Sequence, residues 1–215
     1  YNINGATGLN WTELLAAQAG VAAPCAAQTG LNSVAQLGGA VPVVNHTGCY
    51  GYAQGGARVT NPIGPANAAL LALGDASAAL GQLTVPIVTQ IANHLARFGS
   101  FKASDLIIVF AGHNDLLYQL GVFSAAAQQI QAQAQADVLA GLITPEQAQT
   151  RVSQELFAAQ TVAQQAMKTA ALELAGYVRS EILAKGGSYV MVMSMVDFTV
   201  TPRFANASAE TKVLV

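Results

Sequence analysis

The chain has 215 residues and a mass of 22.0 kDa, enough for one domain with a real core. Only 9% of it is charged, against a usual value of roughly 25%, and 53% is hydrophobic with a mean hydropathy of +0.40. Nine Lys+Arg against eleven Asp+Glu, with no basic run, exclude electrostatic nucleic-acid binding as a default. The strongest apolar runs, Leu106 to Ala111 and Tyr189 to Val196, fall well short of the ~20 residues a membrane-spanning helix needs. Apolar content this high offsets chain entropy and excludes intrinsic disorder. With 42 Ala and 18 Gln, the surface must be Gln, Asn, Ser and Thr rather than Lys and Glu. Tyr1 opens no signal peptide, so the chain is expected to start after processing or inside a longer protein.

In chain order, Asn10 is placed to cap a short helix over Trp11 to Ala19 that ends at Gly20. Residues 21 to 66 are rich in Gly, Pro, Asn and Thr, with strand-like pieces at Val41 to Val44 and Tyr50 to Gln54. Thr84 opens the next helix, with Pro86 in its first turn and Ile87, Ile91, Leu95 and Phe98 at helical spacing before Gly99. Asp105 then leads into Leu106 to Ala111, apolar on both faces as a buried parallel strand is. The Ala/Gln-rich segment Ser124 to Ala140 lacks Gly and Pro and reads as helix. Thr144-Pro145-Glu146 is a strong helix start, and that helix is expected to reach Ala184 before Gly186-Gly187. Its apolar stripe is Val152, Leu156, Ala159, Ala163, Ala170 and Leu174. Ser188 to Val196 is a second buried strand. Strand, helices, strand implies a right-handed crossover and a parallel sheet covered by helices.

Cys25 and Cys49 are the two cysteines. A bridge between them would close a loop of about two dozen residues and contribute roughly 3 kcal/mol. The alternative is two buried free thiols. The low charge and the Gln/Asn/Thr-rich surface favour an exported protein, and with it the bridge. No CxxC or Cys/His cluster is present, so no metal is expected.

In open α/β sheets ligands bind beyond the carboxyl ends of the strands. The first such end is Gly112-His113-Asn114-Asp115, where a glycine permits a tight turn and an Asn amide can serve as a neutral oxyanion donor. The plainer alternative is an Asx turn capping the next helix. Gly51-Tyr52-Ala53-Gln54-Gly55-Gly56-Ala57-Arg58 is the second feature, with paired glycines that expose backbone N–H groups. It is neither a P-loop nor GxGxxG. Alone, it reads more readily as a tight turn between strand and helix.

Together, GYAQGGARV and DLIIVFAGHNDLL resemble blocks II and III of the GDSL/SGNH hydrolases, N-x-A-x-G-G-A and G-x-N-D. INGATGLNWTELLAAQAGV is similar to the segment that follows the nucleophile block of that family. MVMSMVDFTVTPRF is similar to the later N-x-P-D-x-x-x-T-P loop of its bacterial secreted and autotransporter branch. The resemblance covers essentially the whole chain. It implies one SGNH-hydrolase-like domain over residues 1–215, truncated at both ends, with a three-layer, flavodoxin-like α/β architecture in which helices flank a parallel sheet. By position, Asn114 matches the oxyanion-hole asparagine. Gly56 matches the glycine that supplies the second donor, with Gly55 the register alternative. Gly55, His113 at the variable position of block III, and Asp115 are the expected substrate-side residues, with Asp115 orienting the loop and a satisfied loop histidine the plainer reading of His113. Gly51 replaces the Asn that usually opens block II.

Two family blocks are missing. No GDS[LY] precedes Gly51; Gly74-Asp75-Ala76-Ser77 follows block II and places Ser77 in a surface turn. No D-x-x-H occurs. His46, His94 and His113 all fall outside the catalytic slot, His94 as a surface helix residue, and Asp197 matches the earlier substrate-side loop. The resemblance therefore implies an exported bacterial carboxylic-ester hydrolase, periplasmic or at the outer-membrane surface. It would work without a cofactor on a small-molecule or lipid ester. A Ser and an Asp/His pair would come from N- and C-terminal segments beyond this chain, and the 215 residues alone would be inactive. The competing expectation is a non-catalytic binding or surface-display domain that kept the fold and lost the triad.

Overall fold

In the computed structural model, residues 8–31, 41–65, 84–202, 204–207 and 209–212 are described. Ser77 and the Ala66–Leu83 segment lie outside them. Helix α1 spans Trp11–Gln18 because Asn10 caps it: its Oδ1 accepts from the Thr12 and Glu13 amides at 2.9 and 3.1 Å. The Glu13 carboxylate accepts from the Asn10 amide in return, completing a capping box. Strands β1 (Gln28–Leu31) and β2 (Val41–Asn45) form an antiparallel pair. Tyr50 to Gln54 does not extend as a strand; only Gly51 bridges, in parallel, to Ala26. The Cys25–Cys49 disulfide is formed across this bridge, with Cα atoms 5.1 Å apart. Gly51 N–H donates to Cys25 O beside it at 3.0 Å.

Helix α2 runs Ile87–Phe98. It starts three residues later than the sequence pattern indicates, since Pro86 holds an extended backbone (φ −66°, ψ 160°) as N-cap. Strand β3 (Leu106–Val109) pairs in parallel with β4 (Tyr189–Val192), from Leu106 opposite Tyr189 to Val109 opposite Val192. Two long helices connect them, α3 (His113–Leu139) and α4 (Pro145–Tyr177), joined by a short turn that makes them antiparallel neighbours. Helix α3 begins well before Ser124, because Leu116, Leu120 and Phe123 continue the helical spacing into the core beside Ala163 and Phe204. Thr144 caps α4, its Oγ1 accepting from the Gln147 amide.

The regular α-helix stops at Tyr177 rather than Ala184. A π turn (Val178–Ile182) and a 3-10 turn (Leu183–Lys185) follow. The widened turn lets Ile182, 1% exposed, wedge into the cluster with Ile91 and Val109. Ile107, Val109 and Val190 face that cluster. On the alternate positions Leu106, Tyr189 and Met191 are exposed. The protein is thus mixed α/β, with a parallel strand pair covered by helices on one face and, among the described residues, two sheets of two strands each. A short 3-10 turn (Phe198–Val200) and helix α5 (Ala209–Lys212) are the last elements among the described residues.

Candidate functional site

Strand β3 ends at a sharp corner. Gly112 has φ +100°, a left-handed conformation that favours glycine, and a Cβ there would stand 3.0 Å from Met195 Sδ. Helix α3 starts at the next residue, so His113, Asn114 and Asp115 occupy its first turn beyond the strand's carboxyl end. The glycine-rich loop meets them there. Asn114 Nδ2 donates to Ala57 O at 2.8 Å. Asp115 accepts from Arg58 Nε at 3.1 Å with one oxygen and from Val59 N–H at 3.0 Å with the other. Two segments 56–57 residues apart in sequence are held together by these three bonds.

Asp115 and Arg58 are 4% and 8% exposed, so the pair is buried and its hydrogen bonds count for more than those of a surface pair. The Arg58 guanidinium also lies over the Tyr118 ring, 4.0 Å from its centroid, and reaches Ile63 O at 3.3 Å. Asp115 therefore positions the loop, and it has no oxygen aimed away from that task. Asn114 uses one amide hydrogen on Ala57; a primary amide carries two, which leaves a second donor. Gly55 is exposed. Gly56, at the turn's corner, has φ +80° and packs so that a Cβ would lie 3.1 Å from Thr84 Cγ2.

His113 is held rather than free. Its ring meets Phe110 edge-on at 4.6 Å and Phe198 at 5.6 Å, and Nε2 accepts from Val196 N–H at 3.3 Å. Burial lowers its pKa below the ordinary histidine value. Asp197 caps the Phe198–Val200 turn, accepting from Thr199 N–H and Oγ1, and these bonds lower its pKa. His46 Nε2 bonds Thr29 Oγ1 at 2.7 Å, away from the loop corner.

His94 departs from the surface position its helix pattern indicates. It is 6% exposed, stacked on Phe101 at 4.2 Å and flanked by Phe98, Tyr50 and Tyr52. Tyr50 and Tyr52, just after the disulfide, turn that helix face inward, which the spacing within α2 does not reveal. Among the described residues no serine hydroxyl is hydrogen-bonded to a histidine, and no group of three His, Cys, Asp or Glu could hold a metal ion.

A cavity of about 220 Å³ opens beyond the carboxyl ends of β3 and β4. Ala111, Leu116 and Val59 line one side, Ala170 and Leu174 of α4 another, and Met167, Met193 and Met195 the rest. Asp115 borders it. Neither the cavity nor the Arg58 partner of Asp115 was apparent from the local pattern. The alternation Met191-Val192-Met193-Ser194-Met195 was the available signal, since flexible thioethers suit an adaptable wall. No known family model, no curated protein and no solved structure matches the chain.

Proposed function

We propose that this chain is the oxyanion-hole part of an exported SGNH-type carboxylic-ester hydrolase, within a three-layer sheet larger than the two strands described. The observation that carries the proposal is the clamp between Asp115 and residues 58–59, with Asn114 bonded to Ala57 beside it. It brings an Asn amide and a glycine turn to one corner at the carboxyl end of a parallel strand. Such an arrangement suits stabilisation of a tetrahedral oxyanion by neutral donors.

In this mechanism a serine from flanking polypeptide attacks an ester carbonyl, a histidine takes its proton and returns it to the leaving alcohol, and a water activated by the same histidine then cleaves the acyl-serine to release the acid and restore the serine. The oxyanion is held by the serine N–H, the Gly56 N–H and the second hydrogen of Asn114 Nδ2. Gly55 and His113 border the substrate. The disulfide fits export, since such bonds persist in oxidising compartments.

In a longer protein that supplies the serine, Asn114→Ala should lower kcat on a p-nitrophenyl ester by roughly 10²–10³-fold while the circular dichroism spectrum stays unchanged. Wild-type turnover in that variant removes Asn114 from the mechanism. The 215-residue chain alone should neither hydrolyse the ester nor take up a fluorophosphonate label. A second reading, a binding or display domain without catalysis, is favoured by one departure: Gly51 stands where block II of the family opens on Asn, so the hydrogen bonds of that side chain are lost. An inactive full-length protein would select it.

A further inference from the structure

We infer that the cavity beyond β3 and β4 is a binding site for a neutral aliphatic tail of about six to eight carbon atoms, by comparison with an apolar cavity of about 150 Å³ that holds benzene. Its volume is about 220 Å³. Among the described residues the walls are aliphatic and thioether side chains, and the one carboxylate at its edge, that of Asp115, has both oxygens engaged by Arg58 Nε and Val59 N–H.

Those features select among ligands. A sugar would lose its water contacts and find no side-chain partners, and a charged head group would meet low dielectric beside a carboxylate. A saturated tail loses nothing on entry. Methionines bend to fit it, as flexible thioethers do at adaptable apolar surfaces. The site also has a mouth. Met195 is 44% exposed and Ala171 is exposed, whereas Ala170 is buried behind it. Met195 Sδ rests close over Gly112, so rotation of that one side chain widens the entrance. That the tail is the acyl part of an ester rests on the hydrolase reading; the binding itself does not.

The chain holds four methionines, and only Met191 is absent from the cavity wall, which supplies an internal control. With ¹³C-methyl methionine in the 215-residue protein, hexan-1-ol should shift the Met167, Met193 and Met195 methyl signals saturably and leave Met191 in place. Glycerol should shift none. Ala171→Trp at the exposed mouth should abolish the hexan-1-ol shifts, and Ala170→Leu, which fills the interior, should do the same. An absence of shifts, shifts that reach Met191 equally, or saturation unchanged in Ala171→Trp would each overturn the site. The readout involves no hydrolysis, so hexan-1-ol binding here together with inactivity of a longer protein that supplies the serine counts against the hydrolase proposal alone.

Discussion

At the scale of single residues, Asp115 does more for the structure than any other ionised group described. One carboxylate satisfies a buried arginine and a buried amide on a segment 56–57 residues away. Removing it strands both. Asp115→Ala should cost about 3 kcal/mol, read as a lowered urea midpoint, because breaking a buried pair leaves an uncompensated charge. Asp115→Asn keeps the shape and one acceptor, so it should cost less; an equal loss from both variants would locate the effect in the charge rather than in the bond to Val59. A loop-orienting role for Asp115 was legible only as what the block III resemblance implies. Its partner was not. Arg58 sits in a glycine-rich loop with nothing local to mark it as buried, and only the fold brings it to α3.

At the scale of elements, α2 is fastened through rings to the segment that follows the disulfide. His94 stacks on Phe101 and meets Tyr52 edge-on, while Tyr50 stacks on Phe98. Desolvation lowers the His94 pKa; the Ser100 backbone and Asp105 oppose this, and Arg97 adds to it. A histidine that resists protonation when folded takes up its proton more readily when unfolded. Stability is therefore complete above the unfolded value of about 6.5 and falls as pH drops through it toward the lower folded value. The urea midpoint should fall between about pH 7.5 and about pH 5, and His94→Phe should flatten that profile; a profile unchanged by the substitution would assign the pH dependence elsewhere. Elements with strong end signals were readable in advance. Asn10 and Thr144 both cap where expected, and β3 and β4 do pair in parallel. The misjudged ends have physical causes. Helix α3 continues upstream of Ser124 because Leu116 and Leu120 add a second buried turn, and α4 widens at Val178 because Ile182 must reach the sheet. Both depend on neighbours that are remote in sequence.

At the scale of the whole molecule, the scarcity of charge has an energetic meaning. Only three ion pairs join the described residues, and two of them share Arg151. Exposed pairs of that kind contribute little, and the buried one is shielded from salt. The melting temperature should therefore move by no more than about 2 °C between about 0.05 and about 1 M NaCl. A larger shift would reveal long-range charge interactions that the composition does not suggest. The order strand, helices, strand indicated a parallel sheet covered by helices; Ile107, Val109 and Val190 form a covered face, while Leu106, Tyr189 and Met191 on the alternate positions are exposed. The cavity was hidden at this scale, since it depends on four chain segments converging, around Val59, Ala111 to Leu116, Met167 to Leu174, and Met193 to Met195.

The helical hairpin has a consequence for handling the protein. At 1.5 Å per residue, the 27 residues of α3 run about 40 Å from the corner at Gly112 to Leu139. The turn at that far end carries Leu139 and Leu142, 81% and 73% exposed. The hairpin thus works as a handle: a fluorophore, affinity tag or surface linker placed at residues 140–143 sits at the opposite end of a rigid rod from Asn114 and the methionine-lined mouth, and leaves both open to solution.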